Sequence, residues 1–172
     1  AHLLGATADQ KGLELSITVD AGVPKYVHGK RRSLERALVN LVSNALKFTA
    51  SGSVIVTAGI LAQNTAKVGD TVMLQLCVKD TGVGIPKDKF EKIFENFSRL
   101  TSSYQGVFKG SGLGLYAVKR YVENLQGKIS VDSTVGIGTR FTLDIPFVVS
   151  DHSDQAEQLV ASSRKKSSGV VF

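Results

Sequence analysis

The 172-residue sequence holds a single cysteine, Cys77, so it can form no internal disulfide. That suits a reducing compartment without establishing one. It also lacks any apolar run near the roughly 18 residues needed to span a bilayer, and no signal peptide is visible in it. The first residue is Ala1 rather than Met, and Ala1–Ala8 reads as the tail of a helix. The expectation is an excised segment, so the missing membrane span carries no weight for the parent protein. Internal repeats are absent. Negative charge is in deficit, with 15 Asp and Glu against 21 Lys and Arg, a formal net charge of +6. Such an excess can serve nucleic acid or an anionic small molecule. The basic runs Lys30-Arg31-Arg32 and Arg164-Lys165-Lys166 are short, separated and free of interleaved aromatics. They read better as solvated faces than as a nucleic-acid surface.

What is present fits one soluble domain. Apolar content is 42%, and the length suffices for a single core. Leu13, Leu15, Ile17 and Val19 alternate with polar residues, which predicts a half-buried strand. From Leu34 the period changes. Leu34, Ala37, Leu38, Leu41, Val42, Ala45 and Leu46 form the stripe of an amphipathic helix. Strands are expected over Ser53–Leu61 and Thr71–Lys79, joined by the polar loop Ala62–Asp70, with a short helix after Pro86. Asn96–Gly110 has no period and is rich in Ser, Gly and Tyr, as a functional lid would be. A helix over Leu113–Leu125 should end near Gly127 as its cap. Strands at Lys128–Ser133 and Thr139–Phe147 follow, and Ser150–Ser168 reads as a flexible tail. The fold class is α+β: a two-layer sandwich of one mixed, mostly antiparallel sheet covered by helices on one face. Domain bounds are placed at 1–12 for the end of an upstream helical domain and linker, 13–148 for the main domain, and 149–172 for the tail.

Three constellations carry chemistry. Asn40, Asn44 and Lys47 stand at i, i+4 and i+7, on a line along the helix face opposite the apolar stripe. Mid-helix asparagine costs about half a kcal/mol against the best helix formers. Two in line suggest a use, since amide oxygens are hard ligands suited to Mg²⁺ and a lysine beyond them suits phosphate. Two tolerated surface asparagines would look the same. Asp80-Thr81-Gly82-Val83-Gly84-Ile85-Pro86 follows a strand. It places an acceptor-only carboxylate, suited to an amino group such as adenine's, beside glycines that admit a ligand to the backbone. It could equally be an ordinary turn. Gly110-Ser111-Gly112-Leu113-Gly114-Leu115 opens a helix, where exposed N–H groups bind phosphate. It is neither a Rossmann fingerprint nor a Walker loop. Each motif alone is weak; their order and spacing are not.

Together these residues resemble the ATP-binding catalytic domain of sensor histidine kinases, within the gyrase–Hsp90–MutL (Bergerat-fold) ATPase superfamily. Asn40-Leu-Val-Ser-Asn44-Ala-Leu-Lys47-Phe48-Thr49 looks like its N box, Asp80-Thr-Gly-Val-Gly84 its G1 box, Phe94-Glu-Asn-Phe97 its F box and Gly110-Ser-Gly-Leu-Gly114-Leu its G2 box. Gly136-Ile-Gly138-Thr139-Arg-Phe141 matches its closing strand. The likeness runs from about Leu13 to Phe147. It implies ATP and Mg²⁺ as cofactors. Asn44 would supply the metal oxygen, with Asn40 assisting at the phosphates and Lys47 binding them. Phe48 would pack on the base or ribose. Asp80 would accept from the adenine amino group with Thr139 joining through a water, and Gly82, Gly84 and Ile85 would line that end. Arg99, and more weakly Lys109, would reach the phosphates when the lid closes. Gly110, Ser111, Gly112, Leu113 and Gly114 would wrap the triphosphate.

Hydrolysing relatives carry glutamate at the position of Asn40; an amide cannot act as base on water, which favours transfer to an imidazole. The phosphoacceptor is not evident. His2, His28 and His152 are not followed by the family's acidic residue. The acceptor is therefore expected on a separate helical dimerisation domain, with a response-regulator receiver domain as downstream partner. The segment alone is expected to lack autophosphorylation. It can be monomeric while the parent dimerises, and cytoplasmic while the parent is membrane-anchored. Lys30 stands where the family often begins this helix with aspartate, leaving Ser33 as a late cap. Rival readings are a hydrolysing ATPase, a serine kinase of the anti-sigma type, and a nucleotide-gated pseudokinase. The basic tail ending at Phe172 could lead into a receiver domain or simply end there.

Overall fold

The computed structural model describes residues 2–61, 66–96 and 114–151, with side chains from residue 4 onward in the first stretch. Among these residues the elements run α1 (His2–Lys11), β1 (Glu14–Val19), β2 (Tyr26–His28), α2 (Arg31–Phe48), β3 (Ser53–Ile60), β4 (Thr71–Asp80), α3 (Gly114–Asn124), β5 (Lys128–Thr134) and β6 (Gly138–Ser150). The six strands form one sheet in the order β1-β3-β4-β6-β2, with β5 also paired to β6. β1 runs parallel to β3, and every other pairing is antiparallel. The expected sandwich with helices on one face is what the chain builds.

Period-2 alternation puts Leu74, Leu76 and Val78 of β4 on the same face as their register partners Ile145, Leu143 and Phe141 of β6. α2 and α3 cover that face through Ala37, Leu41, Ala45, Val118 and Val122, all buried. α1 joins the same core. Ala8 is 1% exposed, and the Lys11 ammonium donates to the backbone carbonyls of Leu46 and Thr49 (3.1 Å for the latter) at the end of α2. Residues 1–12, assigned by sequence to an upstream domain, thus include a helix that packs within this one.

Several local readings are corrected. β1 is half-buried only at its start: Leu13 just before it is buried, whereas Ile17 is 67% and Val19 60% exposed. The strand is a sheet edge that runs past the helices covering its neighbours. β2 went unread because three residues are too few to show a period. Two 3₁₀ turns, Lys87–Lys89 and Lys92–Phe94, replace the short helix expected after Pro86. α3 ends in a Schellman motif, with Gly127 N–H on the Val122 carbonyl (3.0 Å) and Gln126 N–H on that of Glu123 (2.9 Å). Its left-handed residue is Gln126 (φ 56°), not Gly127. Lys30 precedes α2 without capping it by a side chain, and Ser33 is no cap. Instead the Lys30 ammonium donates to the Asn124 carbonyl (3.0 Å) and to its Oδ1 (2.8 Å), so it caps the far end of α3. At the C-terminal side β6 continues to Ser150, past the boundary set at residue 148. The remaining tail lies outside the described residues.

Candidate functional site

α2 carries the first group of site residues along one flank. Asn40 and Asn44 are half-buried, at the border of the apolar stripe rather than opposite it. The Asn40 amide nitrogen donates to the Arg36 carbonyl one turn back (2.9 Å), which leaves its oxygen to face outward. That outward side meets the start of α3. A methyl placed on Gly114 would lie 3.7 Å from Asn40 Oδ1 and 3.6 Å from the Asn44 amide. Sequence positions far apart are thereby brought together at the start of α3, where a helix's first N–H groups have no partner within the helix, a setting suited to phosphate oxygens.

Lys47 places its ammonium 4.9 Å from the centre of the Phe48 ring. This cation–π contact holds a positive charge on the same flank. From Phe48 back to Asn40 the helix rises about 12 Å at 1.5 Å per residue. Beyond the end of α2, the Phe48 carbonyl accepts from Val83 N–H (3.3 Å), which docks the Asp80 loop against the helix. Gly82 is required here by close approach: a β-carbon would sit 2.5 Å from the Phe48 carbonyl oxygen.

Asp80 ends β4 at 7% exposure. Its Oδ1 accepts the Gly82 N–H at 2.8 Å. Burial pushes its carboxyl above the ordinary value of 3.8, while backbone donors from Gly82 and Thr139 pull the other way. Gly84 takes a positive φ of 72° with its α-carbon against the Thr134 carbonyl, so the loop turns tightly under Ile85. Thr139, the register partner of Asp80 on β6, is buried beside it. Its hydroxyl lies 2.9 Å from Ser133 Oγ, which also accepts the Ile85 N–H (2.8 Å) and donates to the Gly138 carbonyl (2.8 Å).

Ser133 was not singled out in the sequence. The signal was there: Ile129 and Val131 precede it in the same phase of β5, so a hydroxyl enters an inward-facing apolar row. Of the expected site residues, the structure gathers Asn40, Asn44 and Gly114 at one end. At the other it gathers Phe48, Asp80, Gly82, Gly84, Ile85 and Thr139, with Lys47 between. Arg99, Lys109, Gly110, Ser111, Gly112 and Leu113 lie outside the described residues, as does Phe97 of the F box.

No trio of His, Cys, Asp or Glu that could cage a metal occurs among the described residues. The donors at hand are amide oxygens. They fit Mg²⁺, which keeps several waters and is shared with substrate phosphates.

A two-layer sandwich with a buried carboxylate at one end of a helix and two amides facing another helix's N-terminus is an arrangement suited to a nucleotide. Residues 29–149 match the family model for histidine kinase-, DNA gyrase B- and HSP90-like ATPases, and the chain belongs to that family. It is 35% identical over 167 residues to hybrid signal transduction histidine kinase A of Dictyostelium discoideum, covering 94% of this chain and 8% of that protein. Against the sensor protein EvgS of Escherichia coli, identity is 34%, over 96% of this chain and 14% of the other. The chain therefore spans only a small part of these relatives. Among solved structures, full-length ShkA in complex with AMPPNP superposes with a TM-score of 0.69 at 31% identity, covering 87% of this chain and 28% of that one. The mycobacterial sensor histidine kinase MprB superposes at 0.63 with 27% identity, covering 86% and 94% respectively.

Proposed function

We propose that the chain binds Mg-ATP and transfers the γ-phosphoryl group to a histidine on a separate helical domain, as the catalytic domain of a two-component sensor kinase. The observation that carries this reading is the paired amides of Asn40 and Asn44 facing the start of α3, on the helix whose far end docks the loop of the buried carboxylate Asp80. The base enters beside Asp80 and Thr139, its amino group donating to the carboxylate. The phosphates lie toward Asn44 and Asn40, with Lys47 alongside; Arg99 and Lys109, outside the described residues, are the further cations that the family resemblance offers to them. Mg²⁺ on Asn44, when bound, neutralises charge on the phosphate oxygens.

Asn40 distinguishes transfer from hydrolysis. Its amide accepts no proton near neutral pH, and its nitrogen is already committed to the Arg36 carbonyl. Water positioned there has no base, so the reaction falls to an incoming imidazole that is itself a nucleophile. The imidazole nitrogen forms the new P–N bond as the bond to ADP breaks, and ADP leaves as the anion.

The partners proposed are a helical dimerisation domain carrying the histidine and a receiver domain that takes the phosphoryl group onward, with nucleic acid excluded. Hybrid kinases among the relatives support the receiver. None of the described helices is long and apolar enough to cross a membrane. We place the domain on the cytoplasmic side of a parent that can be membrane-anchored. The test is calorimetric titration with a non-hydrolysable ATP analogue, with and without Mg²⁺, followed by transfer from ATP to an added histidine-bearing helical domain. Saturable, Mg²⁺-strengthened binding and acid-labile labelling of the acceptor are expected. Absence of binding by folded protein would sink the reading.

A further inference from the structure

We infer that Ser133 is a positioning residue that sets the polarity of the base pocket, making it select a purine with a 6-amino group over one with a 6-oxo group. The inference rests on the ATP reading above and adds to it the residue that enforces the choice. Ser133 is 5% exposed, at the end of β5 and in register with Thr139. Its three contacts leave no freedom. The Gly138 carbonyl can only accept, so the single Ser133 proton goes there (2.8 Å). The Ile85 N–H can only donate, so it fills one lone pair of Oγ (2.8 Å). The remaining contact, 2.9 Å to Thr139 Oγ1, must then run from threonine to serine.

The consequence lies one residue away. Thr139 spends its only proton inward, on Ser133, and has only lone pairs left for the ligand side. Its register partner Asp80 is an acceptor too, buried with its Oδ1 on the Gly82 N–H. The two side chains at the base, Asp80 and Thr139, thus present acceptors alone. A 6-amino group satisfies them, directly or through a water. A 6-oxo group would set oxygen against a buried carboxylate with no hydroxyl proton free to bridge them, and an unpaired buried acceptor is costly.

Removing the serine hydroxyl frees the threonine proton. In Ser133→Ala, the Thr139 hydroxyl can turn and donate to the ligand, so the pocket accepts both groups. The measurement is calorimetric titration of the 172-residue chain with Mg-ATP and with Mg-inosine triphosphate, which carries oxygen in place of the 6-amino group and a hydrogen on the adjacent N1. Wild type should prefer ATP, and Ser133→Ala should narrow that preference about five- to tenfold. Ser133→Thr keeps a hydroxyl with one proton and should retain it. In a Thr139→Val background, substitution of Ser133 should leave the ratio unmoved. If Ser133→Ala fails to fold, Ser133→Cys, with its weak donor and acceptor, replaces it and should narrow the ratio in the same direction. Equal weakening of both nucleotides would reduce Ser133 to a fold-stabilising residue and overturn the inference while leaving the ATP reading intact. A wild type indifferent between the two nucleotides would instead overturn the base pocket itself.

Discussion

Asp80 is held under two opposed demands: in the proposed function its charge accepts from the ligand, yet burial disfavours that charge. Its carboxyl is raised above 3.8 chiefly by desolvation. As pH falls, the folded protein therefore takes up this proton before the unfolded chain does. Protonation favours the fold, so the penalty of the buried anion sets in as pH rises past the unfolded value of 3.8 and is complete above the raised pKa. Asp80→Asn should accordingly melt at a higher temperature than wild type near pH 7, with the difference closing as pH falls through the raised pKa and below the unfolded value of 3.8, where both side chains are neutral. The same variant should bind ATP about 10- to 100-fold more weakly, because a charged acceptor is lost. Melting curves at both pH values, paired with titration, check both halves; a wild type more stable than Asp80→Asn at neutral pH would contradict the sign. Gly84 gives a second residue-scale outcome. Its φ of 72° and a β-carbon 2.2 Å from the Thr134 carbonyl predict that Gly84→Ala costs about 1–3 kcal/mol in urea denaturation. Such positions were only partly legible: the glycines announced a turn, but Ser133, whose hydroxyl organises that turn, showed only as a hydroxyl in the apolar phase of β5, which does not name its partners.

Among the elements, the strongly periodic ones were readable and the short ones were not. α2 declared itself because five of its stripe residues are buried and their spacing leaves no other solution. β6 did so through Phe141, Leu143, Ile145 and Phe147, which all reach the core. β1 misled, since alternation reports only that one face could be buried; whether helices extend over Ile17 and Val19 is decided by tertiary packing. The caps were opaque for a different reason. Lys30 lies 94 residues from the Asn124 carbonyl it binds, and Lys11 lies 38 from that of Thr49, so neither pairing leaves a local trace. The Lys11 cap yields a test. Its ammonium satisfies carbonyls left open at the end of α2, next to Lys47 and Phe48. Lys11→Met keeps most of the apolar stem and removes the donor. It should cost about 1 kcal/mol in thermal or urea unfolding. Amide exchange should speed up at residues 46–49 and stay unchanged in β6.

The order β1-β3-β4-β6-β2 could not be read from the chain, because alternation fixes which face a residue takes and not which strand it pairs with. The parallel β1–β3 pair depends on the crossover through α2, and the place of α1 depends on that pair in turn. α1 has almost no amphipathic character in sequence, so its tie to the domain shows only in three dimensions, where Ala8 is buried and Leu4 packs against the core. Removing residues 1–12 therefore tests the domain as a whole. The truncated chain would expose the apolar surface under Ala8 and Leu4 and leave the end of α2 without its Lys11 donor. The loss should be about 2–4 kcal/mol, with a lower urea midpoint. Because α2 carries Lys47 and Phe48 at that end, ATP affinity should weaken with it. As the control, Ile17→Lys and Val19→Lys lie on the open part of β1 and should each shift stability by less than about 0.5 kcal/mol. If the truncated chain unfolds at the wild-type midpoint, α1 is an appendage whose contacts are not energetic. If the two β1 substitutions cost as much as core mutations, the open edge is covered in solution by something that recognises apolar side chains.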